Sequence, residues 1–213
     1  MIAVERGFAL ESVDGSLTTL PPVWDDPTIR MNEGTCDPLG RFWCGSMSYR
    51  RVPGAGSLFR LDPDLSVHTV LAGVTISNGI AWSPDGSLVY YIDTPTLRID
   101  VFDGDGELTN RRPFATFADL RPDGLTVDSP GGVWVAFNGQ GRVHRYTPDG
   151  RLDEVVEVAA AKTTACCLGG PNLDRLFITT SREGLPDGAD PLAGSLFVAD
   201  VGLAGLAPWA FGG

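Results

Sequence analysis

Apolar and aromatic residues along this chain fall in runs of four or five, separated by Gly, Pro, Asp and Asn: 41–44, 57–61, 88–92, 133–137, 142–146, 176–179 and 195–199. Each run is the length of a strand and too short for a helix. Between the runs, Pro-Asp-Gly occurs at 84–86, 122–124, 148–150 and 186–188. Proline presets φ and glycine accepts a positive φ, so all four read as tight turns. The sequence predicts one short helix, over Glu154–Ala161, and strands elsewhere.

The runs repeat. Residues 32–43, containing Asn32-Glu33-Gly34, align with 77–86, containing Ser77-Asn78-Gly79, and again with 122–134, containing Pro122-Asp123-Gly124. Gly34, Gly79 and Gly124 are spaced evenly, and a degraded fourth copy begins near Thr163. Each copy reads as a first strand, a Pro/Asp/Gly turn, a second strand carrying Trp or Tyr, and a third strand such as 56–63 or 141–148. A fourth, outer strand is expected to follow. A unit of about 40 to 50 residues with several strands is the signature of a β-propeller blade. The expected fold is therefore an all-β propeller in a single domain over 1–213, with Trp43, Trp82, Tyr90 and Trp134 packing between blades. The spacing gives four complete blades, starting near Glu33, Asn78, Asp123 and Thr163, and a partial one in residues 1–29.

Composition narrows the function. Sixteen basic residues against 27 acidic ones leave a net charge of −11, which argues against nucleic acid or an anionic membrane as partner. No apolar run approaches the length that spans a bilayer, and no cationic segment leads into an apolar one at the N-terminus, so a cytoplasmic protein is expected. Cys36, Cys44, Cys166 and Cys167 form no CxxC pair and read as buried thiols, the adjacent two pointing to opposite strand faces. His68 and His144 are the only histidines, so a histidine-based triad is not expected, and both read as solvated or satisfied at strand edges. Gly104-Asp105-Gly106 and Gly139-Gln140-Gly141 read as hairpin turns. The run 103–106 begins like a calcium loop, but Phe114 stands where its twelfth, ligating residue would be.

What remains is a phased set of oxygen donors. The residue before each repeat glycine is Glu33, then Asn78, then Asp123. Equivalent points of successive blades surround a propeller's central channel, and hard divalent cations take carboxylate and amide oxygens. Asn and Asp before Gly also occur in ordinary turns; the shared phase favours metal ligation for Asn78 and Asp123.

At these residues the chain resembles the SMP-30/gluconolactonase/regucalcin family of six-bladed propellers. The resemblance is carried by Arg30-Met31-Asn32-Glu33-Gly34, by Asp37, Gly40, Arg41, Trp43, Gly45 and Met47, by Ile76-Ser77-Asn78-Gly79, by residues 90–94, by Pro122-Asp123-Gly124 and by residues 162–170, in family order. It implies metal-dependent hydrolysis of sugar lactones, with one divalent cation (Ca, Zn, Mn or Mg) as cofactor. Matched by motif, Asn78 and Asp123 are metal ligands, Asp123 is also the general acid/base, and Arg30 and Asn32 bind substrate. The family's third ligand is a glutamate in its first blade, for which this sequence shows no match, so the chain reads as lacking that blade; Arg50 stands where relatives often carry an acidic residue. A non-catalytic, calcium-binding propeller and an inactive fragment are the alternative expectations.

Overall fold

The computed structural model describes residues 1–104 and 107–213. Asp105 and Gly106 fall outside them, and with them the middle of the expected hairpin turn at 104–106 and of the calcium-like run 103–106.

Strands pair in sequence order into five antiparallel sheets. The first holds β1 (Ile2–Val4), β2 (Gly7–Glu11) and β3 (Leu17–Thr19). The second holds β4 (Ile29–Cys36), β5 (Phe42–Ser48), β6 (Gly56–Leu61) and β7 (Val67–Val74). The third holds β8 (Ser77–Trp82), β9 (Leu88–Asp93), β10 (Arg98–Asp103) and β11 (Thr109–Thr116). The fourth holds β12 (Pro122–Val127), β13 (Val133–Phe137), β14 (Arg142–Tyr146) and β15 (Leu152–Glu157). The last holds β16 (Thr163–Gly169), β17 (Arg175–Thr180) and β18 (Leu196–Asp200). Residue contacts group the chain into two compact units, Met1–Asn78 with Pro208–Gly213, and Gly79–Ala207.

The described residues thus form five blade sheets, three of four strands and two of three. This corrects the expectation of four complete blades and a partial one on a six-bladed plan. The count was keyed to the phased glycine, which the first sheet lacks although its three short strands pair fully. The copy beginning at Thr163 has three strands, not four.

Burial follows the repeat. In the first unit Phe8, Met31, Cys44, Phe59 and Leu61 cluster, with Phe211 against them. In the second unit one cluster gathers Tyr90, Ile92, Ile99, Val101, Val133, Val135 and Phe137, and another gathers Trp134, Val143, Cys166, Leu168, Leu176 and Ile178. Trp43, Trp82, Tyr90 and Trp134 are all buried, as expected of the repeat aromatics.

Four local expectations are corrected. Residues 152–157 form the strand β15, paired with β14, where a helix over 154–161 was expected. Burial alternates along it, with Glu154 and Val156 half-buried and Val155 and Glu157 exposed, giving the half-exposed outer strand of a sheet. Pro122-Asp123-Gly124 opens β12 instead of making a turn, whereas the other three Pro-Asp-Gly runs do make turns, each with its glycine at positive φ. His144 is buried at 5% exposure, its Nδ1 3.1 Å from the Tyr146 hydroxyl and its Nε2 without a hydrogen bond among the described residues. The thiols divide: Cys44 and Cys166 are buried, Cys36 is half-buried and Cys167 is exposed, so the adjacent pair does point to opposite faces. Burial pushes the Cys44 thiol up to about 12, which leaves it unreactive.

Candidate functional site

The repeat glycines are required by close approach. In β4 the ladder slips between Met31 and Gly34, so Asn32 and Glu33 together face Gly45, and β12 slips in the same way between Pro122 and Leu125. A Cβ on Gly34 would lie 2.4 Å from the Trp43 carbonyl oxygen, and one on Gly124 would lie 2.7 Å from the Ala165 Cβ. The repeat glycine thus stands at a β-bulge in both strands, just after the doubled pair in β4 and within it in β12. β16 repeats the bulge with Thr164 in the equivalent place, its hydroxyl 2.8 Å from that of Thr179.

In the first unit the bulge assembles a hydrogen-bonded array. Arg30 Nη1 donates to the Met31 carbonyl at 2.9 Å and to Asn32 Oδ1 at 2.8 Å. Asn32 Nδ2 donates in turn to the Ser77 carbonyl at 2.7 Å and to Asn78 Oδ1 at 2.9 Å. The two hydrogens of the Asn32 amide are thus both engaged, and Asn32 links the Arg30 guanidinium to the buried Asn78 carboxamide. Arg30 lies over the Tyr49 ring at 5.7 Å, and the Tyr49 hydroxyl donates to Glu5 at 2.6 Å. That carboxylate bond pushes the Tyr49 phenol above its ordinary value. Ser77 fills the space a side chain at residue 45 would need, with its Oγ 1.7 Å from where a Gly45 Cβ would stand. Arg50 is exposed.

In the second unit Asp123 stands at the bulge of β12. Asn138, one residue beyond β13, donates from Nδ2 to Asp123 Oδ2 at 2.8 Å. The backbone around Asp123 is held on both sides: Thr94 Oγ1 donates to the Pro122 carbonyl at 2.7 Å, and Asn138 N donates to the Arg121 carbonyl at 3.0 Å. Burial pushes the Asp123 carboxyl from its ordinary 3.8 up to about 6; the Asn138 bond pulls downward and the negative charge of Glu183 adds to the rise.

Sequence reasoning singles out Arg30, Asn32, Asn78 and Asp123. The structure joins the first three and gives Asp123 a partner of its own. The sequence reading does not single out Ser77, Asn138 or Glu183, which the structure places beside them. An Asn just before Gly139-Gln140-Gly141 reads as turn chemistry, and nothing in the spacing marks Glu183.

Among the described residues no group of three or more His, Cys, Asp or Glu side chains is arranged to hold a metal ion. The donors that exist are an amide oxygen at Asn78 and a carboxylate at Asp123, and on chemistry both suit a hard divalent cation. A carboxylate drawn from water with one neutral amide donor attracts a positive charge, a proton or a cation alike.

Five antiparallel blade sheets formed in sequence order, with oxygen-bearing residues at the bulges of β4, β12 and β16, define an all-β protein of the propeller class. The family profile described as SMP-30/gluconolactonase/LRE-like region matches residues 1–182. The chain is 38% identical to regucalcin from Xenopus laevis over 96% of its own length and 74% of that protein. It superposes on the crystal structure of a calcium-binding protein, regucalcin, from Agrobacterium tumefaciens with a TM-score of 0.92 at 32% identity, covering 98% of this chain and 74% of that one. A gluconolactonase from Xanthomonas campestris matches with a TM-score of 0.67 at 27% identity, over 82% of this chain and 62% of that one. This chain belongs to the SMP-30/gluconolactonase/LRE-like family, a group that includes gluconolactonases.

Proposed function

We propose that the protein is a hydrolase that opens sugar lactones, aldonolactones of the gluconolactone kind, with Asp123 as general acid/base. The observation that carries the reading is the state of Asp123: a carboxyl with a pKa of about 6 exchanges protons near neutrality, as an acid/base catalyst must. Membership of a family that includes gluconolactonases supports the substrate class.

Hydrolysis needs a water oxygen to attack the lactone carbonyl carbon and the ring C–O bond to break. Ionised Asp123 takes the proton of the attacking water and then returns it to the departing ring oxygen, which becomes the free hydroxyl of the sugar acid. Arg30 binds sugar oxygens: two of its contacts use one nitrogen, and a guanidinium carries five N–H donors. Asn32 orients the substrate beside it and holds the Asn78 oxygen in place. A divalent cation (Ca²⁺, Zn²⁺, Mn²⁺ or Mg²⁺) would polarise the lactone carbonyl when bound; Asn78 and Asp123 each carry an oxygen of the kind such a cation takes.

The test is acid release from gluconolactone by purified protein with each cation, against Asp123→Asn. Wild type is expected to open the lactone and Asp123→Asn to lose about 10²–10⁴-fold in kcat. A wild type inert with every cation, or a variant as fast as wild type, overturns the reading. The Agrobacterium relative, described as calcium-binding, favours a second reading in which this chain binds Ca²⁺ without turnover. Under it Asp123→Asn weakens calcium binding and the wild type opens no lactone.

A further inference from the structure

We propose that Lys162 is a positioning residue for Asp123: it ties segment 181–195 to the end of β13 and so keeps Asn138 seated against the carboxyl. The proposal rests on the reading of Asp123 as the acid/base.

Lys162 is the single lysine among sixteen basic residues. Elsewhere the chain sets arginines against carboxylates, as at Asp37, Asp62, Asp100 and Asp128, where a planar fork suits the partner. Lys162 Nζ donates to the main-chain carbonyl of Glu183, a single acceptor that a point donor matches. Its own carbonyl accepts from Ser181 N at 2.9 Å. On its other side its backbone forms an isolated antiparallel bridge with Asn138. The flanking residues extend the same clamp. Ala161 N donates to Asp190 Oδ2 at 3.0 Å, and the buried Thr163 hydroxyl donates to the Phe137 carbonyl at 2.6 Å.

Segment 181–195 is also held at its far end, where Thr180 Oγ1 donates to the Ser195 carbonyl at 2.7 Å and Ala193 is buried. It runs without strand or helix between β17 and β18, with Gly184, Gly188 and Gly194 at positive φ. Its internal bonds are those of successive turns, plus one from Arg182 Nε to the Ala193 carbonyl at 2.7 Å. A structureless segment of this length inside a compact fold is uncommon and usually functional. It carries Glu183, whose charge is felt at Asp123, so the lysine that holds Glu183 by its backbone stands between two of the groups that set the surroundings of Asp123.

Lys162→Met keeps the apolar stem and removes the donor; Lys162→Arg restores one. Three readouts apply to the full chain: cleavage after Glu183 by a glutamate-specific protease under native conditions, the side-chain amide NMR signal of Asn138 (assigned by its loss in Asn138→Asp), and kcat and KM for gluconolactone. Lys162→Met is expected to speed cleavage at least about 5-fold by freeing the segment locally. It should displace the Asn138 signal and lower kcat about 10-fold with KM changed less than about 2-fold, because a misplaced catalytic group costs turnover more than binding. Lys162→Arg should recover most of each. Wild-type cleavage with an unmoved Asn138 signal in Lys162→Met, or an unchanged kcat, overturns the proposal. If wild type opens no lactone, the acid/base reading fails separately, and the protease and NMR readouts still decide whether Lys162 holds Asn138.

Discussion

Asp123 and Asp128 lie at the two ends of one strand hairpin, and the fold treats them in opposite ways. Asp128 is fully buried and fully answered: Arg145 Nε at 2.6 Å and Trp134 Nε1 at 2.9 Å donate to one oxygen, and Gly132 N at 2.6 Å to the other. The same device stands in the first unit, where Asp37 takes Arg41 Nε at 2.5 Å, Trp43 Nε1 at 2.8 Å and two backbone N–H groups at 2.9 Å. Each such aspartate precedes a turn glycine by three residues and its tryptophan by six, which makes it the knot of its hairpin. Asp123 has a neutral amide at 2.8 Å and the charge of Glu183 nearby. Where a buried carboxylate is matched with a cation and several donors, its negative charge holds structure together. Where it is left short of donors, it keeps an affinity for protons and cations, and that is reactivity.

The largest effect expected from this contrast is on stability. Asp128→Asn strips the buried ion pair from Arg145 and should cost about 3 kcal/mol in urea unfolding. A loss below about 1 kcal/mol, the range of an exposed pair, would break the comparison at its structural end.

Asp123→Asn should act with the opposite sign. A carboxyl whose folded pKa is raised from 3.8 to about 6 stays ionised above pH 6 at a cost to the fold; between pH 6 and 3.8 the folded state takes up its proton first and regains that stability. The amide should therefore stabilise the metal-free protein by about 2 kcal/mol at pH 7.5 and by nothing at pH 3.5. A variant less stable than wild type at pH 7.5 would place Asp123 among the structural carboxylates.

The smallest effect concerns His144. Burial holds its pKa below the ordinary 6.5, so stability is whole above that value and is lost as pH falls beneath it, when the unfolded chain binds the proton more readily. His144→Gln should flatten this acid-side loss, read as a smaller fall in urea-unfolding stability between pH 7 and pH 5 than in wild type. That loss opposes the gain from Asp123, so comparing the two variants across pH 4–7 separates the contributions.

Much of the arrangement was readable from residue types. The strand runs, the aromatic core and the even spacing of Gly34, Gly79 and Gly124 identify blades. The failures share a cause: short-range chemistry was read where long-range packing decides. Pro122-Asp123-Gly124 has the composition of a turn, yet Ala165, some forty residues later, presses against Gly124 and makes the position a bulge in a strand. Residues 154–157 have helix-compatible composition but pair with β14. His144 follows a polar pattern and is buried by Phe137, whose ring centroid lies 4.6 Å away. Asn138 and Glu183 come to bear on Asp123 only after separate segments fold, and no spacing in the sequence announces it.

The most direct test of the account is the titration of Asp123 itself in metal-free protein, followed by the carboxyl ¹³C signal and assigned with Asp123→Asn. The account predicts a midpoint near 6, well above the ordinary 3.8; a midpoint at or below 3.8 would contradict it.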